Sequence, residues 1–298
     1  MTVNLVMANA DIRRMRGEGF REFRFVPLTA GLPDPWAESG LLEQYRTLVA
    51  ARVFYPGLHG YTHFSPQGML RGWHDSGALG ERTRALLMED IPYLASLTPE
   101  FNFALLDRSD EGEVFADFER QKIWVQQGIK LFQEAFGHLP VTTCAPGYRC
   151  NDATFKAWTE HGIGVVQTTG CAGIYELGRL LVIERNVFFE PLLDDDGVVE
   201  RALNRIQKVL AAGLIPVICS HSINYVSRYC GGREQSLRCL TRLLRAITTE
   251  YPEVRFAHDE DVLAAHRRGD KDWFRKPRMD EMVRRRQLAA HLSTGNSE

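Results

Sequence analysis

Two periods alternate along this chain. Short apolar runs at residues 3–8, 23–28, 54–58, 141–144, 165–169, 180–183 and 215–219 read as strands, and 187–189 extends or neighbours one of them. Between them lie segments whose apolar residues fall three and four apart, the mark of helices with one buried face. Residues 35–52 carry Leu41, Leu42, Tyr45, Leu48 and Val49 in that spacing. A long helix is predicted over 113–136 through Phe118, Val125, Ile129 and Phe132, with Gly137 closing it. Asn151 or Asp152 caps a helix through Trp158 that ends at Gly162. Further helices are predicted over 198–212, 233–251 and 262–266, with a last short strand at 254–257.

Repeated strand–helix units imply an α/β fold, a parallel sheet with helices outside it. A closed or nearly closed barrel fits best. Residues 1–267 read as one domain. Residues 268–298 read as a charged C-terminal tail, helical near 281–292 and disordered after 293.

Composition narrows the function classes. The 298 residues are 44% hydrophobic and 25% charged, with a formal net charge of −2. That is ordinary for a globular protein and gives no support for nucleic-acid binding. No Gly-rich phosphate loop, internal repeat or membrane-length apolar run is present. No secretory leader is recognised, and the six cysteines include no Cys-x-x-Cys pair. They read as free thiols in a reducing cytoplasm.

Candidate chemistry gathers where strands end. His59-Gly-Tyr-Thr-His63 follows the run 54–58, and its intervening residues are weak helix formers. The pair therefore reads as a strand running into a loop, where α/β folds place ligands. Two imidazoles there could share a divalent metal, or be ordinary histidines at a strand end. Ala145-Pro-Gly-Tyr-Arg-Cys-Asn-Asp152 follows the strand at 141–144, and Ser220-His221 follows the one at 215–219.

These motifs, in this order, resemble the polysaccharide deacetylase (NodB-like) superfamily, in a divergent branch. The resemblance covers residues 1–267. His59 and His63 look like the family's His-x-x-x-His metal motif. Ala145-Pro-Gly-Tyr148 looks like a groove wall, and Ile218-Cys-Ser-His221 like the strand that delivers a catalytic histidine. The resemblance implies a distorted (β/α)7-type barrel. It also implies a divalent metal, most often zinc, held by one Asp and two His, and hydrolysis of an N-acetyl-type group on a carbohydrate or its precursor. His59 and His63 would bind the metal, and His221 would protonate the leaving amine or stabilise the developing oxyanion. Pro146, Tyr148 and Arg149 would line the substrate groove.

The family's first motif, an Asp-Asp pair, is missing. Asp11 is the nearest candidate for metal ligand and catalytic base, but Ala10 stands where the second Asp would be. The strand predicted at 23–28 also follows Asp11 too closely for a helical crossover. Two registers stay open: residues 3–8 are the first strand, or they are the second, with the Asp-Asp strand lying before Met1. Ala145 also replaces the family's Arg before Pro146, and Arg149 could stand in for it.

Glu190, Asn186 and Asn224 could contact substrate. Tyr225 could face the groove, and His74-Asp75 could form a supporting pair. Trp36, Trp73 and Trp158 could stack on sugars, though burial is the default. Asp194–Asp196 and Arg284–Arg286 read as solvated charges. The leading reading is a metal-dependent amide or ester hydrolase acting on an acylated carbohydrate. The alternatives are a catalytically impaired carbohydrate-binding protein on the same fold, or a glycoside hydrolase on a related barrel using paired carboxylates.

Overall fold

The computed structural model describes residues 1–88, 103–109, 112–170, 173–192, 197–226 and 232–270. The C-terminal tail beyond 270, Asp194–Asp196, Cys171, Cys230 and Arg284–Arg286 lie outside the described residues. The chain divides into two compact units, Met1–Val166 with His258–Glu260, and Gln167–Ala257 with Asp261–Glu298.

In chain order the first unit holds β1 (Thr2–Leu5), β2 (Ala8–Ala10), α1 (Ile12–Gly17), β3 (Phe25–Pro27), α2 (Leu41–Ala50), β4 (Tyr55–Leu58), α3 (Pro66–His74), α4 (Ala78–Met88), β5 (Leu106–Ser109), β6 (Gly112–Phe115), α5 (Phe118–Phe136), β7 (Thr142–Cys144) and α6 (Asp152–Glu160). Strand β8 (Val165–Thr168) leads out of it. β4 is parallel to both β1 and β7, with Leu58 opposite Leu5 on one side and Thr143 on the other. Helices α1 to α5 separate these strands in sequence, as parallel pairing requires. The class is α/β, as the alternation of periods implied. Among the described residues no pairing closes the strands into a ring.

The run at 3–8 is two strands rather than one. After Leu5 the chain leaves β1, and Met7 N and Ala8 N donate to the carbonyls of Gly60 and Tyr61. β2 then pairs antiparallel with β3, Ala8 opposite Pro27 and Ala10 opposite Phe25. Antiparallel strands need no crossover, which explains how so short a segment joins them. The long helix starts at Phe118, not 113, because Glu113 and Val114 belong to β6, antiparallel to β5. Asp117 caps it by accepting from Arg120 N, and Gly137 ends it in the left-handed conformation at φ 79°. Asn151 caps α6 in a capping box with Thr154.

The second unit holds β9 (Ile174–Leu177) and β10 (Leu180–Glu184), an antiparallel pair with β10 buried at every position. It continues with β11 (Val187–Phe188), α7 (Val198–Ala211), β12 (Ile218–Cys219), α8 (Ile223–Val226), α9 (Arg233–Glu250) and most of α10 (Asp259–Arg267). β11 and β12 are parallel. Val187, Phe189, Val199, Ile206, Leu243 and Ile247 form one core. Residues 254–257 are not a strand: Val254 N is spent in a turn on Tyr251 O, and Phe256 is 61% exposed. Among the described residues no helix is long and apolar enough to cross a membrane.

Residues 258–260 belong with the first unit, at the starts of its strands. The His258 ring stacks on Tyr55 with centroids 3.3 Å apart. The buried carboxylate of Asp259 accepts from Thr142 Oγ1, and Asp259 N donates to Thr2 Oγ1.

Candidate functional site

His59 stands one residue past β4. Its backbone N donates to Leu5 O at 2.8 Å, and its ring Nδ1 lies 2.8 Å from the carbonyl of Cys144, the last residue of β7. A carbonyl accepts only, so Nδ1 carries a proton, and in the neutral ring Nε2 is the nitrogen that bears the lone pair. Ligating histidines are held in this way by a neighbouring carbonyl. The segment that follows is pinned. Thr62 Oγ1 donates to Phe64 O, and Ser65 caps α3 by accepting from Gly68 N. Gly128 of α5 approaches so closely that a Cβ there would lie 3.0 Å from Tyr61 N. His63 is thereby brought to His59, with ring centroids 5.4 Å apart and planes at 58°.

The loop after β7 packs beside this pair. Pro146 is buried against Gly60 rather than open to solvent. With Leu58, Trp124 and Trp158 it lines an apolar cavity of about 20 Å³, room for one water and far too small for a sugar. Gly147 and Tyr148 are consecutive left-handed residues, at φ 58° and 59°. Such a conformation costs a non-glycine residue such as Tyr148 about 1–2 kcal/mol.

Phe103 is the residue that sequence reasoning missed here. A Cβ on Gly147 would lie 2.0 Å from its Cε1. The Arg149 guanidinium carbon sits 5.5 Å from its ring centroid, and His63 lies 6.4 Å away on a tilted ring. One aromatic ring thus touches the loop glycine, the candidate arginine and the second histidine. The only signal in the sequence was an aromatic residue heading the apolar run 103–106. Cys150, in the same loop, is an inert thiol, its pKa pushed up to about 11 by burial.

The second unit brings three of the predicted residues together. Glu190 follows β11 and His221 follows β12. His221 Nδ1 lies 2.7 Å from Glu190 Oε1, and Asn224 Nδ2 donates to Glu190 Oε2 at 2.6 Å. The His221 side chain is 65% exposed, and that of Glu190 only 16%. A shielded carboxylate therefore orients an accessible imidazole, the arrangement used for general acid–base work. Tyr225 OH and Ser220 Oγ are 2.8 Å apart beneath the pair. Burial is the main cause that raises the Tyr225 phenol pKa.

Asn186 is elsewhere engaged. It is buried, donates to Ile215 O and accepts from Val217 N, and so braces β11 against the segment before β12. His74 Nε2 bonds Phe20 O, and Asp75 accepts from Gly77 N and Gly80 N. Trp73 stacks on Phe20, and Trp158 is buried. These are structural bonds within the fold.

The donors present bear on the metal that the resemblance implies. Asp11 caps α1 through Arg14 N, and β2 carries it into the ribbon with β3. The residues past Leu5, beside His59, are Val6, Met7 and Ala8, and Met7 and Ala8 are buried. Among the described residues no three His, Cys, Asp or Glu side chains are grouped to hold a metal ion. A catalytic zinc takes three protein ligands and a water. His59 and His63 supply two, so the described donors do not fit a complete catalytic zinc set.

No family model and no curated protein matches the chain. Its fold is similar to that of the PuuE allantoinase, with TM-score 0.47 and 15% identity, covering 80% of this chain and 67% of that one. It is similar to a probable polysaccharide deacetylase from Pseudomonas aeruginosa, with TM-score 0.44 and 15% identity, over 78% and 65% of the two chains. A CE4 family pseudoenzyme from Bacillus anthracis gives TM-score 0.34 and 12% identity, over 71% of this chain and 48% of that one. The chain thus spans about two thirds of the first two proteins and about half of the third. These likenesses are remote, and the resemblance to the NodB-like superfamily rests on the motifs at His59–His63, Ala145–Tyr148 and Ile218–His221.

Proposed function

We propose that this chain is a NodB-like hydrolase that removes an acyl group from an amino sugar or a related carbohydrate. The observation that carries this reading is the Glu190–His221 pair. His221 takes a proton from the attacking water as the water oxygen bonds to the acyl carbon. It returns that proton to the sugar nitrogen as the carbon–nitrogen bond breaks. Glu190 stabilises the imidazolium formed between the two steps. A positioned acid–base group of this kind contributes about 10²–10⁴ in rate. No step is routed through a metal.

A second reading is a carbohydrate-binding protein without turnover. It is favoured by the histidine pair itself, to which the described residues add no third metal-ligating side chain. One experiment separates the two. Purified protein is incubated with N-acetylated oligosaccharides, with and without added zinc, and released acetate is measured beside calorimetric binding. Acetate release that is lost in His221→Gln supports the hydrolase. Binding without release supports the second reading, and neither binding nor release overturns both.

A further inference from the structure

Asn224 was expected to contact substrate, yet its side chain is 1% exposed and every polar atom on it is engaged. Its Oδ1 accepts from Leu192 N at 2.9 Å. A backbone N–H can only donate, so this bond fixes which end of the amide is oxygen. Nδ2 therefore faces the other way. It donates to Glu190 Oε2 at 2.6 Å and His221 O at 2.8 Å, with a longer contact to Ser220 Oγ at 3.4 Å.

The consequence passes along the chain of bonds. Glu190 Oε2 faces a donor that cannot accept, and also lies 3.4 Å from His221 N. That oxygen must accept. Glu190 Oε1 faces His221 Nδ1 at 2.7 Å. With Oε2 committed as acceptor and the carboxylate ionised, Oε1 accepts as well, and Nδ1 must carry the proton. Nε2 is left as the lone pair on the exposed side of the ring. The acceptor-only carboxylate itself sets this tautomer; the Leu192 amide fixes which way Asn224 faces, and Asn224 holds the carboxylate in place against His221.

We propose that Asn224 is a positioning residue, buried behind the pair, that holds the Glu190 side chain against His221 Nδ1 by presenting a donor, and only a donor, to Oε2. This deepens the hydrolase reading of His221 and rests on it for its role in turnover. The structural content stands apart, because the tautomer can be read without any substrate.

The test is a long-range ¹H–¹⁵N correlation spectrum of the uniformly labelled full chain at pH 8.5, above the range where imidazoles ordinarily titrate. The His221 signals are assigned from their loss in His221→Gln. The unmodified protein is expected to show His221 protonated at Nδ1. Glu190→Gln is the decisive variant. Asn224 still donates to one side, so the new side chain must turn its oxygen to Asn224 and its NH₂ to His221. The tautomer then inverts to Nε2–H. In Glu190→Gln with Asn224→Ala only the longer contact from His221 N, at 3.4 Å, still favours an oxygen on that side, and the inversion is expected to give way to a mixture.

Retention of the Nδ1–H form in Glu190→Gln overturns the proposal. So does an inversion that survives Asn224→Ala. If the spectra behave as expected and no acylated sugar is turned over, the hydrolase reading fails and the positioning role stands. If the tautomer ignores Asn224 while His221→Gln still abolishes hydrolysis, the positioning role fails alone.

Discussion

Glu190 and His221 occupy matched places past the ends of two parallel strands. Val187 pairs with Ile218 and Phe188 with Cys219, an offset of 218 − 187 = 31 residues. Glu190 and His221 are separated by the same offset, 221 − 190 = 31, and the bond from Phe189 N to Cys219 O holds the strands together up to that point. Side chains at matched places on parallel strands emerge on the same face. The register brings the two residues opposite each other, and the 2.7 Å contact is made just past the strand ends.

If this pair performs proton transfer, His221→Gln is expected to lower kcat/KM for deacylation by about 10²–10⁴. Glu190→Gln keeps the shape but turns a donor towards the imidazole, and should lower kcat with little change in KM. Steady-state assays on both variants check this. Unchanged kinetics in His221→Gln removes the catalytic assignment.

Gly147→Ala is expected to destabilise the first unit by about 1–3 kcal/mol, from overpacking against Phe103 and a left-handed backbone. Urea unfolding measures it. In the background of Phe103→Leu the same substitution should cost less, because only the backbone share remains. Equal costs in both backgrounds would mean that Phe103 does not press on the loop.

With its pKa near 11, Cys150 is a neutral thiol at pH 8. An unperturbed thiol near 8.5 is partly ionised there. Alkylation of Cys150 at pH 8 should therefore run about 10²–10³-fold slower than that of a free thiol, and approach it only above pH 10 or on unfolding. Peptide mapping after timed iodoacetamide treatment reads the rate at this position. Labelling at the free-thiol rate in native protein contradicts the burial.

Thr142→Val leaves the buried Asp259 carboxylate without one of its donors. A loss of about 1–3 kcal/mol is expected. In amide exchange it should loosen residues 258–260 and the start of β7. A neutral effect on both would show that this bond does not hold the returning segment.

Glu184 is buried in β10, and burial raises its pKa above the ordinary 4.5, against the bond from Gly173 N and the charge of Arg205. In the native state it therefore holds its proton to higher pH than in the unfolded chain. Stability falls as pH rises from about 4.5 through the raised native value, because the native state binds more protons in that window. Glu184→Gln should flatten this part of the profile and raise Tm at pH 7. A variant with an unchanged slope, followed by thermal unfolding from pH 4 to 8, would locate the dependence elsewhere.

The amino-acid sequence by itself determined the alternation of strands and helices, the C-terminal end of α5, both ends of α6, and the placing of His59, His63, Tyr148, Glu190 and His221 just past strand ends. Period, capping residues such as Asn151 and stops such as Gly137 act within a turn or two of chain, so they are legible locally. Tertiary structure decided what depends on distant pairing. The hydrogen bonds of Met7 and Ala8 to the loop at Gly60 and Tyr61 split the expected first strand and carried Asp11 into the ribbon with β3. The approach of Phe103 to Gly147 chose the ring that backs the loop. Asn224 changed from a candidate contact to a buried support because Leu192 N lies behind it. Each of these is a contact between residues far apart in the chain, and periodicity carries no information about which distant atom will fill the space beside a side chain.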